Sequence, residues 1–148
     1  MHYQEPFLEH LKSLSKNDWE RLWALIPIIE QTDEFGHWEG IESIGVGMQM
    51  PYFVAGEEIE QFLSVVQDLG LIPIFDWMDW AEGKHIVSSA DFRPKDHTLE
   101  SHCKILTVII RGNRFNEGLV GNCFEQGLVL KLLKSMKAKV EAGELERG

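Results

Sequence analysis

The sequence predicts a mainly α protein, a compact bundle of about six helices with one small extended or β-hairpin element near residues 36–50. Three observations predict it. Apolar residues recur at helical spacing in five separate segments. One of these, Leu99 to Ile110, is apolar nearly all round, as the buried centre of a bundle must be. Only Ile44 to Met50 alternates with the period of a strand.

The elements follow in order. The first helix is short and is carried by Phe7, Leu8, Leu11 and Leu14. The second places Trp19, Leu22, Trp23, Ile26 and Ile29 on one face, with Pro27 inside it to kink it or end it early. Ile44, Val46, Met48 and Met50 then alternate with Gly45, Gly47 and Gln49, and Met50 is further held extended by Pro51. Gly36, Trp38 and Gly40 upstream supply a partner for a two-stranded hairpin. The third helix shows Ile59, Phe62, Leu63, Val66 and Leu69, and Gly70 follows where a C-cap favours a left-handed residue. The fourth is Leu99–Ile110. The last shows Val129, Leu132, Leu133, Met136 and Val140, after which the chain is expected to fray.

Two helix starts share a grammar. Leu14-Ser15-Lys16-Asn17-Asp18-Trp19 and Phe75-Asp76-Trp77-Met78-Asp79-Trp80 both read apolar, cap, two residues, acid, tryptophan. The cap side chain can accept the N–H three residues on, and the acid favours the positive helix end. Leu14 with Trp19, and Phe75 with Trp80, have the spacing of a hydrophobic staple. Asn17 is a rival cap for the first, with Glu20 three residues later.

Residues 1–148 are expected to form one domain, burying about 70% of the unfolded surface without staples. Cys103 and Cys123 have neither a CxxC partner nor metal-ligand spacing, which favours a reduced, cytoplasmic setting. Glu5, Glu9 and Lys12 stand where a signal peptide would carry its apolar region, so none is expected. The longest apolar run, around Ile109, falls far short of a membrane span, and no membrane partner is expected. The net charge of −10 is uneven: residues 1–60 hold 12 acids against 3 bases, and residues 111–148 hold 5 against 7. An acidic front disfavours nucleic acid, whose phosphates dominate its affinity for proteins. Lys131, Lys134, Lys137 and Lys139 read as a solvated helix face, with an anion or an acidic protein as the alternative.

The string MPYFVAGEEIEQFL, then GLIPIFDWMDWAEGKHI, then LTVIIRGNRFNEGLVGNCFEQGLVLKLLKSMK resembles the bacterial domain of unknown function 6508 family over roughly residues 48–137. The Phe-Asp-Trp, Arg-x-x-Arg-Phe-x-x-Gly and Phe-x-x-Gly elements carry the resemblance. The chain departs from the family pattern at Asn113, a position that is often acidic there. The resemblance implies a small, mostly helical intracellular domain and no particular activity.

The candidate site residues come from the same stretch. Asp76 and Asp79, three apart, would share a helix face, where paired carboxylates can divide acid and base roles or hold a divalent metal through water. Capping is the favoured reading. Arg111, Arg114 and Glu117 are also spaced by three, and arginine forks suit carboxylate or phosphate. Asn116 can cap a helix starting at Glu117, whose free N–H groups would favour an anion. The competing reading has the arginines closing the negative end of the buried helix, with Glu117 as their ion-pair partner. Trp77 and Trp80 would share a face, to grip a ligand or to fill the core. His102 and Cys103 point about 100° apart on a helix, so they are not a nucleophile and its base. His97 and His102, five apart, are expected to face different ways, and no HxxxH or HExxH spacing occurs. No metal and no cofactor is expected, since Gly45-Val46-Gly47 also lacks the third glycine of a dinucleotide motif.

Catalytic residues remain unassigned. Two functions fit. The favoured one is a non-catalytic interaction or ligand-binding module, taking an unidentified protein partner or a small anionic ligand. The alternative is a small enzyme acting on an anionic or phosphorylated metabolite, with Arg111 and Arg114 binding charge and Asp76 or Asp79 moving a proton. An acidic bundle with five tryptophans can also hide a homodimer face, which the sequence does not locate.

Overall fold

The computed structural model describes residues 4–40 and 51–146. Among them are eight α-helices and one two-stranded sheet: α1 (Gln4–Ser13), α2 (Lys16–Trp23), α3 (Leu25–Glu30), β1 (Gly36–Glu39), β2 (Tyr52–Ala55), α4 (Glu57–Asp68), α5 (Ala81–Ser89), α6 (Leu99–Gly112), α7 (Leu119–Glu125) and α8 (Leu128–Glu141). Short 3-10 turns stand at Trp77–Asp79, Pro94–Asp96 and Glu144–Glu146. The fold is mainly α, as expected, with the helices shorter and more numerous.

α6 is the centre. Cys103, Ile105, Leu106 and Ile109 are completely buried in it, and α1, α5, α7 and α8 pack around it. Phe124 of α7 lies 5.1 Å from Phe35 and 5.2 Å from Phe62 of α4, joining the hairpin side to the helical side. Each fully buried large side chain of this kind removes enough apolar surface to contribute roughly 2–3 kcal/mol of transfer free energy.

Local signals explain most boundaries. Ser15 and Asp18 make a complete capping box: Ser15 Oγ accepts the Asp18 N–H (3.1 Å) and Asp18 accepts the Ser15 N–H (2.9 Å). The Pro27 pattern divides at Ala24 into α2 and α3. Pro27 then falls in the first turn of α3, where its missing N–H costs little. Gly70 has φ 64° and ends α4 in a Schellman arrangement, with the Leu71 N–H on Val66 and the Gly70 N–H on Gln67. Gly127, φ 81°, separates α7 from α8.

The expected hairpin forms, and two other expectations are corrected. The hairpin pairs Gly36–Glu39 with Tyr52–Ala55, antiparallel, Trp38 opposite Phe53. Its second strand therefore lies beyond Met50, and the alternating run Ile44–Met50 falls outside the described residues. The chain does not fray at Val140: Leu145 packs on the core, and Glu144 accepts the Leu99 N–H at the start of α6 (3.3 Å). Asp76 does not begin an α-helix. The Asp79 N–H goes to the backbone carbonyl of Asp76 (3.3 Å) in a single 3-10 turn, and α5 starts only at Ala81. Trp80 still makes the expected contact with Phe75. Its ring lies 5.8 Å from Phe75, covers Gly83 where a Cβ would collide with it, and has Lys104 Nζ at 5.0 Å.

Candidate functional site

The surface that best gathers the sequence candidates is built at the carboxyl end of α6. Arg111 stands in its last turn. Gly112 follows, and a Cβ there would meet Leu119 at 2.9 Å, so the glycine lets α7 fold back against α6. The link between them is tightly bonded. Phe115 and Asn116 N–H groups both return to Gly112 O (3.0 Å), and Asn113 Oδ1 accepts the Val120 N–H (3.1 Å). A chain held this way cannot tuck Phe115 inward, and its ring is 72% exposed.

The turn at 73–80 faces this link. Trp77 lies 6.1 Å from Phe115. Pro73, Ile74, Phe75, Trp77, Met78, Thr107, Arg111, Arg114 and Phe115 line an open groove of about 430 Å³. A second groove of about 380 Å³ continues past Trp77 and Phe115 to Lys84, Ser88 and Leu119. A third, of about 330 Å³, runs from Arg111 and Arg114 to Gly70 and Ile72. Three adjoining grooves thus share the arginines at one junction and the Trp77–Phe115 pair at the other.

The arginines carry an unspent charge. Among the described residues, no carboxylate lies within 4 Å of Arg111 or Arg114. Glu117, expected as their partner, instead accepts the Phe53 backbone N–H of β2 at 2.7 Å. The cap expected from Asn116 is also displaced. α7 begins at Leu119 behind Gly118, and the side chain that reaches a free N–H of its first turn is Asn113. Trp77 and Trp80 part company: Trp77 lines the grooves, whereas Trp80 pairs with Phe75 and Lys104.

Asp76 and Asp79 do meet, although not on a helix. The hydrogen bond that Asp76 shares with Asp79 raises its carboxyl above the usual range, and repulsion from that neighbouring charge adds to the rise. Both carboxylates are exposed, and neither lines the three grooves. On the basic face of α8, Lys134 pairs with Glu30 (2.7 Å) and Lys137 with Glu141 (3.9 Å), so two of its four lysines meet the chain's own acids.

His97 and His102 are brought together rather than apart, with ring centroids 6.5 Å from each other and both beside Phe92. His97 precedes the helix, so the helical angle does not separate them. Burial pushes the Cys103 thiol upward and the Cys123 thiol up to about 12, and both cysteines are free. Among the described residues, no group of three His, Cys, Asp or Glu gathers as a metal site, and no helix is long and apolar enough to cross a membrane.

Sequence reasoning missed Ile74, Met78 and Phe115 as site residues. A signal existed: none of the three belongs to a helical stripe, so no buried face was available to absorb them.

Fold and site together describe a small helical bundle with an open, arginine-flanked apolar groove. The model of the family of unknown function DUF6508 matches residues 14–142, and the chain belongs to that family. No curated protein and no solved structure matches it.

Proposed function

We propose that this chain is a non-catalytic binding module, a single domain acting in the bacterial cytoplasm. Its groove at the end of α6 docks a partner that offers carboxylates beside an apolar surface. One observation carries the reading: among the described residues Arg111 and Arg114 have no carboxylate within 4 Å, and they stand next to exposed Ile74, Met78 and Phe115. A guanidinium fork fixes a carboxylate in two directions, and charge-assisted bonds of this kind contribute about 1.5–3 kcal/mol each. An apolar floor alone gives area without register. The arginines supply the register.

The enzyme alternative draws support from the raised carboxyl of Asp76. Against it, the three grooves are open and exclude both aspartates from their linings. The test is a thermal-shift screen against organic acids, sugar phosphates and acidic peptides, with Arg114→Ala in parallel. A ligand that binds only the folded state raises the melting temperature. We expect an acidic peptide to do so, and Arg114→Ala to weaken it roughly tenfold or more. A shift from every acid that survives in the variant would remove the arginines from the site.

A further inference from the structure

Ile74 is 91% exposed and Phe115 72%, and Met78, which lines the same groove, is nearly half exposed. Large apolar side chains left bare in one place mark a surface that something covers. Two charged pairs accompany them. Arg111 and Arg114 have no carboxylate within 4 Å, and Asp76 and Asp79, which bracket Trp77 and Met78 in sequence, have no base within 4 Å among the described residues.

We propose that this face binds a second copy of the chain about a two-fold axis. Ile74, Met78 and Phe115 lie at the centre, and the arginine pair of each copy meets the aspartate pair of the other. The inference rests on reading the arginine groove as a docking face, and it names the acidic partner as the 75–80 turn of an identical molecule. A two-fold interface requires a self-complementary patch, because if residue i of one copy touches residue j of the other, residue j of the first touches residue i of the second. One base pair and one acid pair around a common apolar centre meet that requirement, and each ionic contact then forms twice. The aspartates gain as well. The neighbouring Asp79 holds the Asp76 carboxyl above its usual range, and an incoming guanidinium relieves that pressure. A small anion would satisfy only the arginines and would leave the apolar centre bare.

The test is sedimentation velocity of the full chain over about 1–500 µM, since self-association depends on concentration. Wild type should pass from monomer to dimer. Asp76→Arg/Asp79→Arg and Arg111→Asp/Arg114→Asp should each stay monomeric at every concentration. Mixed in equal amounts, the two variants should form a dimer, because the mixture restores opposite charges across the axis. Misfolded variants could not recover in this way. A monomeric wild type, a charge-reversed variant that dimerises like wild type, or a mixture that stays monomeric overturns the proposal. If the wild type is monomeric but an acidic peptide still binds through Arg114, only self-pairing fails; if neither occurs, the docking reading fails with it.

Discussion

The two ends of α6 follow opposite rules. At its amino end polar groups are buried and partnered. His102 is fully buried, its Nδ1 lies 2.6 Å from the Thr98 carbonyl and its Nε2 2.7 Å from Ser135 Oγ. A carbonyl can only accept, so Nδ1 carries the proton, Nε2 accepts, and the Ser135 hydroxyl donates. His97 bonds Ser101 (2.7 Å), Thr98 caps the helix, and Glu144 takes the Leu99 N–H. The exception is Glu100, whose Oε2 is buried without a partner and whose carboxyl is raised by that burial. At the carboxyl end the arginines have no carboxylate within 4 Å among the described residues, and Phe115 is exposed. Fourteen residues of one helix therefore separate a region organised for stability from one organised for contact.

The largest expected effect tests the buried end. His102→Ala opens a cavity and strands two hydrogen-bonding groups, and should cost about 3 kcal/mol in urea denaturation. If the loss is below about 1 kcal/mol, that end is not the structural one.

The same residue should give the protein an acid limit. Burial first, then the charges of Lys139 and His97, lower His102 from 6.5 to about 4. The unfolded chain then binds a proton that the folded chain refuses. The His102 contribution is fully present above pH 6.5 and is lost as pH falls through that window to about 4, a change of roughly 3 kcal/mol. Stability measured against pH should show a steeper fall for wild type than for His102→Gln, and parallel curves would refute the assignment.

A third effect, about 2 kcal/mol, concerns the link that presents Phe115. Gly118 has φ 87°, and a Cβ there would stand 2.5 Å from the Trp38 ring. Gly118→Ala thus meets both backbone strain and a clash. Gly127 has a similar φ of 81° but open space around it, so Gly127→Ala should cost only about 1 kcal/mol. Equal losses would mean that the Trp38 seat contributes nothing.

The smallest effect belongs to the exposed end. Phe115→Ser should change stability by less than about 0.5 kcal/mol while weakening partner binding. A large loss of stability would return Phe115 to the core and dissolve the contrast.

Helix stripes, the Ser15 capping box and the Gly70 terminus were legible in the sequence because each depends on residues within a turn or so of one another. Asp76 read the same as Ser15, and the Phe75–Trp80 contact forms as read, but no α-helix starts at Asp76; Trp80 also covers Gly83 and meets Lys104, contacts that a local rule cannot weigh. Glu117 was assigned to nearby arginines, and its partner proved to be Phe53, 64 residues away. α7 showed no stripe because its seven residues are too few to display a period. Within the candidate site, the sequence pointed to the arginines and Trp77. It did not point to the bare apolar centre, because exposure is a property of the fold.

The link from Gly112 to Leu119 is tied down on both sides. Gly118 seats Trp38, Gly121 seats Phe53, and Glu117 holds the edge of β2. Phe115 is therefore displayed on a link held by its own packing and hydrogen bonds. Association should then be governed by diffusion and charge rather than by rearrangement. The chain carries a net charge of −10, so an acidic partner or a second copy approaches against long-range repulsion before it reaches the arginines. Added salt screens the approach, and the on-rate should rise with ionic strength even as the contacts themselves weaken.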